Sequence, residues 1–76
     1  MILYVPTKTS LTLPATEVRW TYGIRVLQLD SENCEELFSY PDVSVNDGAV
    51  NHLCFLCNKG RLDPIHFLDV LEDFLS

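Results

Sequence analysis

The last third of the chain, DGAVNHLCFLCNKGRLDPIHFLDVLEDFLS from Asp47 to Ser76, is punctuated as two short helices joined by a tight turn. Val50, Leu53, Cys54 and Cys57 recur at i, i+3, i+4 and i+7, the buried stripe of an amphipathic helix. Asp47 is read as its N-cap, and Asn58-Lys59-Gly60 as its end, with Gly60 suited to a left-handed C-cap. Asp63-Pro64 opens the second helix, since proline at the first helical position loses no hydrogen bond. There Ile65, Phe67, Leu68, Val70, Leu71, Phe74 and Leu75 form a wide apolar arc, opposite His66, Asp69, Glu72, Asp73 and Ser76. Two such helices cannot stand alone in water and need a surface to cover.

The preceding residues supply one. In EVRWTYGIRVLQL, from Glu17 to Leu29, Val18, Trp20, Tyr22, Ile24 and Val26 alternate with Arg19, Thr21, Gly23 and Arg25. Period two with β-branched and aromatic residues predicts a strand. Leu27 and Leu29 then fall on the arginine face, which predicts a bulge or a stretch covered on both sides. Gly23 predicts a bulge or a close approach by another element. Residues 2–13 read as a strand interrupted by Pro6, hence an edge strand, turning at Pro14-Ala15-Thr16. Asp30-Ser31-Glu32-Asn33 is a second turn, and ELFSYPDVSV, from Glu36 to Val45, a third strand with Pro41 at an edge or kink. Short connections pair sequential strands as an antiparallel meander. The fold expected is one α+β domain over residues 1–76: a three-stranded antiparallel meander packed on one face by a C-terminal helical hairpin.

Eleven acidic and five basic residues give a net charge of −6, with no basic run. Such a chain repels polyanions and anionic membranes, so neither nucleic acid nor membrane is an expected partner. The first ten residues lack the basic and long apolar regions of a signal peptide, and no apolar run approaches a membrane span. Three cysteines, an odd number, fit reduced thiols in a cytoplasm better than a disulfide framework. Aliphatic, aromatic and cysteine residues make up 47% of the chain, more than so small a monomer readily hides, so a homo-oligomer is expected.

Cys54-Phe55-Leu56-Cys57 is a C-x-x-C. Redox sites place this motif at a helix N-terminus, where the dipole favours the thiolate. Here it falls in the second half of a helix, on the core stripe, and reads as two small buried hydrophobes. A small-ligand or zinc site would use Cys54, Cys57 and His66, completed by His52 or Cys34. However, His52 is turned roughly 200° from Cys54 and His66 lies on the polar side of its helix. Asp69, Glu72 and Asp73 near His66 read as a solvated helix face rather than an acid–base pair. Tyr22 and Tyr40 read as strand tyrosines with buried rings. No phosphate-binding, nucleophile-elbow, zincin or dinucleotide motif occurs, so neither a cofactor nor catalytic residues are expected, and the chain does not read as an enzyme. The apolar excess is the sharper lead. Phe55, Phe67, Val70 and Phe74 are candidates for a subunit or partner interface, against the alternative that both sides of the second helix are buried within the domain.

Tyr22-Gly23-Ile24, Tyr40-Pro41-Asp42-Val43-Ser44, Leu53 through Asn58, Asp63-Pro64-Ile65-His66 and Glu72-Asp73-Phe74-Leu75 together resemble a family of small bacterial proteins, largely clostridial, of unknown function. Cys57-Asn58 and Pro64-Ile65-His66 match its pattern, while Cys54 and the N-terminal segment are not clearly part of it. The resemblance covers most of the chain. It implies a cytoplasmic bacterial protein and brings no catalytic residue with it.

Overall fold

The computed structural model describes residues 1–12 and 18–75. Three strands, β1 (Ile2–Thr12), β2 (Val18–Leu29) and β3 (Cys34–Ser44), precede two helices, α1 (Asp47–Lys59) and α2 (Pro64–Leu75). The strands pair antiparallel in the order β1-β2-β3, so the strongly alternating β2 is central, and Pro6 and Pro41 lie on the edges. The third strand starts two residues earlier than its apolar pattern, at Cys34. Asp30 makes the β2–β3 turn, its carboxylate accepting from the backbone N–H groups of Glu32 and Asn33. The turn read at Pro14-Ala15-Thr16 lies outside the described residues.

Both predicted irregularities belong to β3. Pro41, Asp42 and Val43 stand opposite Gly23 alone, and Leu37 is an extra residue between the pairs Val26–Phe38 and Leu27–Glu36. The first bulge presses on β2: a Cβ on Gly23 would sit 2.1 Å from the Tyr40 carbonyl oxygen and 2.7 Å from Pro41 Cα. Only glycine allows that approach. The same bulge brings Asp42 onto Thr21, whose buried hydroxyl donates to the carboxylate.

The helices cover the sheet face that carries Tyr4, Ile24 and Val26. Val50, Leu53, Cys54 and Cys57 of α1 and Phe67 and Leu71 of α2 close the core. Phe67 sits with its ring 5.0 Å from that of Tyr4 and 5.6 Å from that of Tyr40, so α2 reaches both edge strands. The four-residue stripe read for α1 is buried as expected. Of the arc read for α2, only Phe67 and Leu71 are fully buried.

The helix ends differ from expectation in two places. Asn46, not Asp47, caps α1, its side chain accepting from Ala49 N–H at 3.0 Å. Gly60 is right-handed, with φ −82°, and the left-handed residue is Arg61, with φ 50°. Arg61 N–H donates to the Asn58 carbonyl and Leu62 N–H to that of Cys57, a Schellman ending one residue later than the glycine suggests. Asp63 caps α2 as read, accepting from Ile65 N–H at 3.0 Å.

Two layers make a slab of 45 × 30 × 18 Å with a radius of gyration of 13.5 Å, against the ~11.4 Å that scaling gives for a compact chain of this length. Its accessible surface is 5475 Å², where a compact monomer of this mass exposes about 4,700 Å². The thin shape follows from a single sheet covered on one face only. The other face, with Leu3, Val5, Leu27 and Leu29 half-buried by one another and by their neighbours, bears no helix among the described residues.

Candidate functional site

The C-x-x-C faces inward. Cys54 and Cys57 are 2% and 4% exposed, and no disulfide links them. Burial pushes the Cys54 thiol up to about 11, with the neighbouring Cys57 adding to the effect, and burial raises Cys57 as well. A thiol that resists ionisation is a poor nucleophile and a poor metal ligand. Cys34 lies exposed at the start of β3. His52 is exposed and stacks on Phe55, with centroids 6.5 Å apart, and His66 is exposed at the start of α2. Among the described residues no three His, Cys, Asp or Glu side chains converge to hold a metal ion, so Cys54, Cys57 and His66 are not brought together as a ligand set. Asp69, Glu72 and Asp73 are exposed on α2.

The tyrosine that matters most is one that the sequence pattern does not single out. Tyr4 is 2% exposed, its hydroxyl donates to the Leu62 carbonyl at 2.7 Å, and burial raises its pKa to about 12. Its backbone is held by Asn58. The Asn58 Oδ1 accepts from Tyr4 N–H at 2.8 Å and its Nδ2 donates to the Tyr4 carbonyl at 2.9 Å. Met1 and Leu29 exchange both backbone hydrogen bonds, so ladder alternation turns the even residues of β1 outward. The Asn58 amide therefore occupies, at Tyr4, the place of one residue of a further strand. It also ties the end of α1 to the edge of the sheet.

The apolar excess proves real but lies partly on other residues than expected. Phe67 is 1% exposed and belongs to the core, which removes it from the interface candidates. Val70 and Phe74 are half-buried against the core. Phe55 is 58% exposed, and the helical layer also exposes Leu56 at 48%, Ile65 at 77%, Leu68 at 53% and Leu75 at 58%. Between the helices an open groove of ≈ 210 Å³ is lined by Leu53, Leu56, Cys57, Gly60, Leu62 and Val70, with almost no polar surface. The width of the α2 arc signalled this in the sequence. Which side of the arc faces out depends on Phe67 inserting between Tyr4 and Tyr40, which periodicity does not show.

A second cleft, of ≈ 510 Å³, opens between the start of β1 and the α1–α2 turn, where Ile2, Asn58, Arg61, Leu62 and Pro64 contribute to its walls. No helix of the described residues is long and apolar enough to cross a membrane.

The model of a family of unknown function, DUF6514, matches residues 5–76. No curated protein matches the chain, and no solved structure does.

Proposed function

The chain belongs to that family of unknown function, DUF6514, and we propose that it is a small non-enzymatic interaction or regulatory module of the bacterial cytoplasm that works as a homodimer through the outer surface of its helical hairpin. One observation carries this reading: the slab exposes about 775 Å² more than a compact monomer of its mass, close to the ~800 Å² that each partner contributes to a standard interface. The helical layer exposes Phe55, Leu56, Ile65, Leu68 and Leu75. Leu56 lines the inter-helix groove, Phe55 is exposed next to it in the chain, and the groove offers an apolar slot for a side chain from the second copy. Among the described residues both cysteines of the C-x-x-C are buried and both histidines are exposed.

The test is a charge placed in the surface. Phe55→Glu combined with Leu56→Glu replaces two exposed residues and leaves the core untouched. The far-ultraviolet circular dichroism should stay that of the native protein while light scattering reports half the native mass. Equal masses for the native protein and the variant would place the interface elsewhere.

A further inference from the structure

The cleft beside β1 has features that the helical surface does not. β1 is an edge strand, and its even residues turn their backbone groups away from β2. At Tyr4 those groups are taken by the Asn58 amide. One step back along the strand, Ile2 lines the cleft with the same outward orientation. An added strand there would continue the pairing that Asn58 begins, and would have to end at Asn58. Arg61 stands at that end, its N–H bonded to the Asn58 carbonyl and its residue part of the cleft wall. The position is left-handed, φ 50°, where glycine is the least strained choice and an arginine is not selected by the backbone. Asp63, the acid in the cleft wall, has its carboxylate engaged by Ile65 N–H, and among the described residues no carboxylate pairs with Arg61. The cleft wall thus holds the Arg61 guanidinium beside a carboxylate, Asp63, that is turned to cap α2.

We propose that this cleft binds the C-terminal end of an extended peptide, which adds a short strand at Ile2 and seats its chain-end carboxylate against the Arg61 guanidinium. Edge pairing supplies the backbone hydrogen bonds, Leu62 and Pro64 the apolar wall, and arginine the bidentate geometry that a carboxylate accepts. The volume falls within the range of sites that take small ligands or a few residues of peptide.

The experiment titrates the ¹⁵N-labelled full chain with N-acetyl-Val-Thr-Val carrying a free carboxylate, with the same peptide as its C-terminal amide, and with an amidated peptide carrying an internal glutamate. The free-acid peptide should shift the amide resonances of Ile2, Asn58 and Arg61, and both amidated peptides should bind roughly tenfold or more weakly, the scale of one charge-assisted contact. Arg61→Gly should abolish the preference for the free acid while raising the melting temperature by about 2–8 °C, because glycine relieves the left-handed strain. A purely structural arginine would give the rise in melting temperature with the peptide preference intact, and that result overturns the proposal. So does the absence of shifts at Ile2 with the peptide in millimolar excess, or equal binding of the internal glutamate, which would make the site a general acid pocket.

Discussion

Replacing Asn58 by Ala tests the physical link between sheet and helices. The variant removes both hydrogen bonds of 2.8 and 2.9 Å and leaves the Tyr4 N–H and carbonyl facing a part-buried gap. A net contribution of about 1 kcal/mol per hydrogen bond, with an added cost for backbone groups that water reaches poorly, gives roughly 2–3 kcal/mol. A chain of 76 residues has a stability of about 4–11 kcal/mol, so the loss is a large share of the whole. It corresponds to about 8–20 °C in melting temperature for a domain of this size. Urea and thermal melts followed by circular dichroism read it directly. Native-state hydrogen exchange adds a local readout, because the Tyr4 amide should exchange much faster in the variant. Asn58→Asp sharpens the reasoning. The new carboxylate still accepts from Tyr4 N–H, yet its second oxygen faces the Tyr4 carbonyl and cannot donate while ionised. Protonation restores a donor, so the folded state raises the pKa of the introduced acid. A group with a raised folded pKa adds stability below its unfolded value and loses it as pH rises through the folded one. The gap between Asn58→Asp and the native protein should therefore narrow as pH falls from 7 toward 4. An Asn58→Ala variant within about 0.5 kcal/mol of the native protein, with unchanged Tyr4 exchange, would refute the pseudo-strand role of this side chain.

Other perturbations reach the remaining parts of the fold. Gly23→Ala drives a methyl group to 2.1 Å from a backbone oxygen, and should cost more than about 3 kcal/mol in a urea melt or prevent folding altogether; a near-neutral result would mean that the β3 bulge is not seated as described. With a thiol reagent such as Ellman's, one thiol, Cys34, should react at once, and Cys54 and Cys57 only as fast as the protein opens; three fast thiols would contradict the inward C-x-x-C. Alkali should unfold the protein through these same cysteines. Both folded pKa values lie above the unfolded ones, so the contribution is intact below about pH 9 and is lost as pH rises, for Cys54 toward about 11, with Tyr4 following higher still. A stability flat from pH 8 to 11 would show that the thiols ionise as freely in the folded state as in the unfolded one.

Much of this architecture is legible in the sequence because local chemistry and global packing agree. The stripe Val50-Leu53-Cys54-Cys57 leaves one way to face a helix, and the alternation from Tyr22 to Val26 one way to face a strand. Pro6, Pro41 and Gly23 each announce an edge or a close approach, and each stands where that requirement is met. Cys57-Asn58 and Pro64-Ile65-His66 carry a resemblance to a family of unknown function, and the family model of DUF6514 matches residues 5–76. What escaped the sequence depends on contacts between distant segments. Asn58 and Tyr4 are 54 residues apart, and nothing in either local pattern says that a helix-terminal amide will complete a strand edge. Phe67 is drawn into the core by two tyrosines on opposite edge strands, and its inward turn pushes Ile65, Leu68 and Leu75 out. The helix ends one residue later than Gly60 suggests, because glycine normally takes the left-handed position and here Arg61 does. The apolar pair Cys57 and Leu62, five residues apart, is the signal that places that position at Arg61 instead.

The homodimer is the central claim, and the mass of the native chain in solution tests it most directly. Sedimentation equilibrium from about one to one hundred micromolar should give a mass approaching twice 8.7 kDa at the upper end and falling on dilution. Because each copy carries a charge of −6, added salt should screen the repulsion and strengthen the association. A mass of 8.7 kDa at every concentration and every salt would contradict the account and leave the exposed helical surface for a different protein to cover.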